Sequence, residues 1–79
     1  MDFQSHDISS DPRYVVKPLY KAMQVLKIVC ETPTSLTLKD ITELSGIPKS
    51  TVYRYLYTMQ KQDMIAYNTK EETYSPGSG

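Results

Sequence analysis

The feature that most constrains the fold is the segment Gly46-Ile47-Pro48, which lies between two amphipathic stretches. Glycine readily adopts the left-handed backbone that ends a helix, and proline is tolerated in the first turn of the next one. Upstream, Thr37 and Asp40 have the spacing of a capping box, in which two side chains satisfy the free N–H groups of a helix start. The sequence therefore predicts a short helix, a tight turn plugged by Ile47, and a helix that begins at Pro48.

A longer helix is predicted to precede this pair. It begins near Lys17, with Pro18 in its first turn, and Pro33 stops it after Glu31. Apolar residues recur at helical spacing in all three segments. In the first helix the predicted inward residues are Leu19, Ala22, Met23, Leu26, Val29 and Cys30. In the second they are Leu38, Ile41 and Leu44, and in the third they are Val52, Tyr55, Leu56 and Met59.

After Asp63 the pattern changes to one typical of strands. Residues 64–67 and 72–75 are predicted to pair as a hairpin, in which Tyr67 and Tyr74 face each other. A short extended piece is also expected just before the second helix.

The predicted fold is mainly α with a small β-hairpin, a winged helix-turn-helix of three helices plus a two- or three-stranded wing. We expect a flexible N-terminal arm over residues 1–14, the winged helix-turn-helix domain over residues 15–75, and a C-terminal tail or linker over residues 76–79.

Charge is segregated along the chain, although the formal net charge is zero. Residues 13–30 contain four basic residues and residues 46–62 contain three, and neither segment contains an acid. If the two segments meet in space, the neutral chain gains a basic face, which suits a negatively charged partner.

The outer side of the third helix is predicted to be polar and cationic, with Lys49, Ser50, Tyr53, Arg54 and Tyr57. A helix N-terminus and hydroxyl groups bind phosphate, and arginine can contact guanine with two hydrogen bonds. No acid stands three or four residues from Arg54, which disfavours an ordinary ion pair within the helix.

Structural alternatives remain open for several of these residues. Lys49 and Ser50 are also typical of an ordinary helix start, and Thr51 could serve packing instead of phosphate binding. Tyr57 could pack against a partner subunit.

Other classes of function are disfavoured by what the sequence lacks. No apolar run approaches the length of a membrane span, and the N-terminus does not resemble a signal peptide. His6 has no potential metal ligand at a suitable spacing, and Cys30 is alone, so it is interpreted as a small core residue. We expect a cytoplasmic protein that is not an enzyme and that holds no metal or cofactor.

Several blocks of the sequence occur together in one known family. The most specific is Gly46-Ile47-Pro48-Lys49-Ser50-Thr51-Val52-Tyr53-Arg54-Tyr55-Leu56, and weaker blocks are residues 19–26, residues 36–41, and Tyr74 followed by Gly77. With these blocks, residues 16–77 resemble the N-terminal winged helix-turn-helix domain of IclR-type transcriptional regulators.

This resemblance implies a domain that binds operator DNA as a homodimer, with the third helix in the major groove. It implies DNA contacts by Lys49, Ser50, Thr51, Tyr53 and Arg54, a backbone contact by Lys21, and pairing of subunits through the first helix. Regulators of this type also carry a C-terminal effector-binding domain. An effector site is therefore expected outside this chain, and that missing domain is a second possible route to a dimer. Whether the chain is a stand-alone protein or an excised domain stays open.

Three features depart from the family pattern. Asp63 stands where a glycine is usual before the wing, and Pro76 replaces an apolar residue. Glu71 and Glu72 lie near the predicted wing tip, where phosphate would repel them, so the sequence argues against a deep contact of the wing with the minor groove.

The sequence thus predicts a sequence-specific double-stranded DNA-binding domain of a transcriptional regulator, with residues of about 48–62 reading the major groove, as a dimer. Two alternatives use the same face. One is a winged-helix module that binds a protein through the tyrosine-rich surface, and the other is a phage protein that recognises DNA for packaging or excision.

Overall fold

The computed structural model describes residues 12–77, and it contains three helices and one hairpin. After a short 3-10 turn at Pro12–Tyr14, the elements are α1 (Lys17–Glu31), α2 (Leu38–Ser45), α3 (Lys49–Lys61), β1 (Ile65–Asn68) and β2 (Thr73–Pro76). Residues 1–11 of the expected arm, with His6, and residues 78–79 of the expected tail lie outside the described part. The fold is the predicted one, mainly helical with a two-stranded antiparallel wing.

The start of α2 is fixed by the predicted capping box. The Asp40 N–H donates to Thr37 Oγ1 and the Thr37 N–H donates to Asp40 Oδ2, each at 3.1 Å. The helix ends at Gly46, whose φ of 73° is left-handed and whose N–H donates to the Thr42 carbonyl at 2.9 Å. Pro48 follows in an extended conformation, so α3 begins one residue later than predicted, at Lys49.

The core lies where the three helices meet the hairpin. Ile41, Val52 and Leu56 have no exposed surface, and each such side chain contributes about 1.5–3 kcal/mol of burial free energy. The predicted plug, Ile47, is buried between α2 and α3. The other buried apolar residues are Val25, Val29, Leu36, Met59, Ile65 and Tyr74.

The predicted inward stripe of α1 is right in part, since Val29 is buried and Ala22 and Leu26 pack against the core, and wrong at its outer edge. The helix buries Val25 and Val29, whereas Leu19 and Met23 are 57% and 59% exposed and Cys30 is also exposed. Apolar residues cover more of the circumference of this helix than its neighbours can bury. The spacing rule chose an arc shifted toward the exposed side of α1, so it included Leu19, Met23 and Cys30 and omitted the buried Val25.

Two smaller corrections concern the other helices. Leu44 was predicted to be buried and is 61% exposed, because the C-terminal end of α2 leaves an open groove against α1. Tyr55 was assigned to the core and is only half-buried at its edge. Val52, Leu56 and Met59 form the buried face of α3 as predicted.

The hairpin has the predicted tyrosine pair at its centre. Tyr67 lies opposite Tyr74, with ring centroids 4.7 Å apart. Leu36 adds a single bridge on the other side of β2, where the Leu36 N–H donates to the Tyr74 carbonyl at 3.0 Å. Pro76, which was assigned to the tail, is the last residue of β2. This bridge ties the wing to the segment that leads into α2.

The turn before the wing keeps a glycine-like backbone without glycine. Asp63 has a φ of 60°, a conformation that Asp adopts at lower cost than most residues. Further on, the Gly77 N–H donates to the Met64 carbonyl at 2.9 Å, which closes the base of the hairpin. A Cβ on Gly77 would collide with the backbone of Asp63 and Met64.

We predict that Gly77→Ala lowers the free energy of unfolding by about 1–3 kcal/mol, because a backbone clash cannot be relieved by side-chain rotation. Gly46→Ala is expected to cost about 1 kcal/mol from its left-handed backbone alone, since a Cβ there meets nothing within 4 Å. Gly46→Asn, which tolerates that backbone, should recover part of the loss. Urea unfolding measures all three, and a Gly77→Ala variant as stable as the wild type would contradict the close approach.

A second prediction concerns Tyr74. Burial raises the pKa of its hydroxyl above the ordinary value of 10.0, with smaller contributions from Tyr67 and Tyr53. The native state therefore holds this proton more tightly than the unfolded state does. The contribution of this group to stability is complete below pH 10 and is lost as the pH rises through the pKa of the folded group. Urea unfolding at increasing alkaline pH should show this loss in the wild type and a smaller one in Tyr74→Phe. The exposed Tyr20→Phe is the control and should behave like the wild type, and identical profiles for all three would contradict the assignment.

Candidate nucleic-acid interface

The candidate interface is the outer side of α3. Because Val52, Leu56 and Met59 hold one side of this helix in the core, the opposite side must face solvent. The residues exposed there are those predicted from the sequence, namely Lys49, Ser50, Tyr53, Arg54 and Tyr57. Thr51 is half-buried, and its N–H donates to the Pro48 carbonyl at 3.0 Å.

The N-terminus of α3 lies at one end of this surface. No side chain caps it, and no acid occurs in its first turn. The first N–H groups of a helix lack partners within the helix and carry the positive end of its dipole. Together with the exposed Lys49 and Ser50, they make this end suited to an anion.

The tyrosines form an ordered strip along the exposed side. Tyr53 and Tyr57 are stacked, with ring centroids 6.4 Å apart and planes 27° apart, and each is about half exposed. The Lys61 Nζ lies 5.1 Å from the centroid of the Tyr57 ring, a cation–π distance. These contacts limit the rotamers of three long side chains without covering their hydroxyl and ammonium groups.

The cations of this surface are not neutralised by contact. Within residues 12–77, Lys49 and Arg54 take part in no ion pair. The Arg54 backbone carbonyl accepts from the Thr58 hydroxyl at 2.9 Å, which leaves the guanidinium free for an external partner. Arginine without an internal carboxylate is available for bidentate recognition of phosphate or guanine.

A groove separates the start of α3 from the wing. It is lined by Thr37, Leu38, Lys39, Lys49, Tyr53, Tyr67, Glu71, Glu72 and Tyr74. Of the predicted site residues, Lys49 and Tyr53 line this groove, and Ser50, Arg54 and Tyr57 lie on the same helix. Lys21 is exposed on α1 and does not line it.

Lys39 and Tyr67 are two of the groove residues that were not predicted as DNA contacts. Lys39 is the second residue of α2, where its side chain joins that of Lys49 in one groove, and Tyr67 projects from β1. A basic residue inside the capping box, one position before Asp40, was a usable signal for Lys39. Tyr67 was recognised only as a cross-strand partner of Tyr74, since the side of the hairpin that meets α3 is fixed by tertiary packing.

Other kinds of site find little support in the described residues. Residues 12–77 contain no group of three or more His, Cys, Asp or Glu side chains placed to hold a metal ion. No helix among them has the length and apolar character needed to cross a membrane.

Comparisons with known proteins agree with this geometry. The IclR helix-turn-helix domain family matches residues 18–69. The HTH-type transcriptional regulator XynR of Escherichia coli (strain K12) is 32% identical over 63 residues, which are 80% of this chain and 25% of XynR.

Solved structures give the same result. An IclR transcriptional regulator from Alicyclobacillus acidocaldarius is 32% identical with a TM-score of 0.72, over 81% of this chain and 26% of that one. The Agobacterium tumefaciens repressor BlcR is 26% identical with a TM-score of 0.67, over 78% and 24% of the two chains. This chain thus spans about a quarter of the length of these relatives. The family match covers residues 18–69, and the helix-turn-helix geometry and the cations of α3, which form no ion pair in the described chain, agree with it. The chain therefore belongs to the IclR family, as a helix-turn-helix DNA-binding domain of the kind found in transcriptional regulators.

Proposed function

We propose that α3 of this domain enters the major groove of double-stranded DNA and reads its sequence. The observation that carries this proposal is that the exposed side of α3 presents Lys49 and Arg54 with no ion pair in the described chain. A major groove admits one α-helix, and the N-terminal residues of a recognition helix meet the base edges.

Each residue has a role set by its chemistry and position. Lys49 and Ser50, at the N-terminus of α3, bind a phosphate together with the free N–H groups of the first turn. Arg54 lies about one turn further along and donates two hydrogen bonds to a guanine. Tyr53 adds a contact between its ring and a sugar or a thymine methyl group.

The remaining predicted contacts are peripheral. The half-buried Thr51 uses its hydroxyl on a phosphate, and the Tyr57 hydroxyl does the same further along α3. Lys21, on α1, contacts the DNA backbone beside the groove that α3 occupies. These contacts position the domain but carry no sequence information.

We also propose that the domain binds as a homodimer paired through α1. An apolar groove between α1 and α3 is lined by Leu19, Ala22, Met23, Leu26, Tyr55, Thr58, Met59 and Met64. Leu19 and Met23 expose more than half of their surface there, which a second copy of the helix would bury. Two modules on two half-sites also supply the contact area that a single module lacks.

The domain is proposed to act in the cytoplasm, with DNA and its own second copy as partners. Effector binding is assigned to another part of a regulator and not to the described residues. Activation or repression then depends on where the operator lies.

We predict that Arg54→Ala weakens duplex binding by about 1–3 kcal/mol and relaxes the preference at one base pair, because a bidentate base contact is lost. Fluorescence anisotropy with a mixed duplex pool, followed by selection of bound sequences, measures both effects. Lys27→Ala, which removes an exposed charge from α1, is the control and should change neither by much. Equal binding of Arg54→Ala and wild type, or no duplex binding even at low salt, would refute the reading helix and favour a protein partner.

The dimer is tested with a charge placed in the apolar groove. Met23→Glu is expected to shift sedimentation equilibrium from dimer to monomer and to weaken binding to a two-half-site duplex, because a carboxylate cannot be buried there without a partner. The fold should persist, since Met23 is largely exposed. Gln24→Glu adds the same charge at the neighbouring exposed position outside this groove and should leave the dimer intact. A wild-type chain that stays monomeric at all concentrations, alone and on DNA, would contradict pairing through α1.

A further inference from the structure

We propose that Glu71 and Glu72 of the wing are specificity-determining residues that keep the wing off the phosphate backbone and hold down the affinity for non-specific DNA. This inference rests on the proposed function of α3. It assigns to the wing a repulsive role, in addition to the attractive role of the helix.

The first support is the position of the two carboxylates. Glu71 and Glu72 line the same groove as Lys39 and Lys49, whereas Lys70, the basic residue of the wing tip, does not line it. The acidic side of the tip therefore faces the N-terminus of α3. A phosphate held by Lys49 shares this groove with both carboxylates, whose like charge repels it.

The second support is that the carboxylates are not used for internal contacts. Within residues 12–77, neither Glu71 nor Glu72 takes part in an ion pair with the lysines across the groove. Their charge is therefore available to repel an incoming phosphate, and the lysines remain available to attract one. A groove lined by both signs attracts a polyanion less than two lysines alone would.

The third support is the backbone of the wing tip. Asn68 Oδ1 accepts from the N–H groups of Lys70 and Glu71, each at 2.9 Å, and the Glu72 N–H donates to the Asn68 carbonyl at 2.7 Å. Glu72 has a φ of 56°, a conformation in which glycine or asparagine is less strained. The turn therefore fixes the backbone from which both glutamates project, but its own chemistry does not require a glutamate at this position.

A complex that makes the base contacts of α3 has one orientation, whereas non-specific complexes are held by phosphate contacts and include orientations with the wing against the backbone. The two carboxylates penalise those orientations, so they lower binding to random duplex more than binding to a site read by α3. The ratio of specific to non-specific affinity rises as a consequence, which is how a repulsive element confers specificity.

The test is the double substitution Glu71→Gln/Glu72→Gln, which removes both charges and keeps the shape of the side chains. Glu31→Gln/Asp63→Asn is the matched control, because it removes two exposed charges that do not line this groove, and asparagine tolerates the left-handed backbone of Asp63. Anisotropy titrations with a random duplex pool and with a duplex selected by the wild type are run over a range of salt concentrations.

We expect the wing variant to bind the random pool roughly three- to tenfold more tightly than wild type at low salt, with a steeper salt dependence and a smaller gain on the selected duplex. The control should change pool binding by less than about twofold. Equal gains for the two variants, or no gain for the wing variant, would overturn the role of the wing.

The same titrations separate this inference from the proposed function. If Arg54→Ala loses binding while the wing variant equals wild type, the wing proposal fails and the reading helix stands. If neither chain binds any duplex, both proposals fail.

Discussion

The burial of one side of α3 is the constraint on which the rest of the structure depends. Ile41 from α2 and Val52 and Leu56 from α3 have no exposed surface, so neither helix can rotate without opening the core. The turn between them is equally constrained, by the left-handed Gly46 and the buried Ile47. A helix fixed in this way has a fixed outer surface as well. The exposed cations and tyrosines of α3 are therefore presented by packing and do not depend on a ligand to order them.

The sequence predicted those parts of the fold that depend on local chemistry. The capping box at Thr37 and Asp40, the left-handed Gly46 and the facing pair of Tyr67 and Tyr74 all follow from backbone rules that act over a few residues. The exposed set on α3 was also predictable, because its polar residues occupy one side so completely that only one rotation of the helix can bury the other. The match to the IclR family is broader, since it extends over residues 18–69 and so includes α1 and α2 as well.

The errors fall where two arrangements satisfy the same periodicity. In α1 the apolar arc is wider than the surface that α2 and α3 cover, so spacing alone could not distinguish the buried Val25 from the exposed Met23. The prediction that Leu44 is buried was wrong for a related reason, since its burial depends on how closely α1 approaches the end of α2. The groove between α3 and the wing was likewise beyond sequence reasoning, because Lys39, Lys49 and Glu72 come from three different elements. Only the tertiary fold brings such charges together.

The distribution of charge explains how a chain with no net charge can serve as a DNA-binding domain. Three of the nine acidic residues lie in residues 1–11, so the described part of the chain has an excess of positive charge. If the domain were simply basic, binding would rise on every duplex alike, because phosphate contacts carry no sequence information. In the proposed role, Glu71 and Glu72 disfavour the complexes that bring the wing against the backbone, while α3 keeps its own surface free of acids. Complexes docked through α3 are then favoured over other orientations, and only they gain the base contacts that separate one operator from many competing sites.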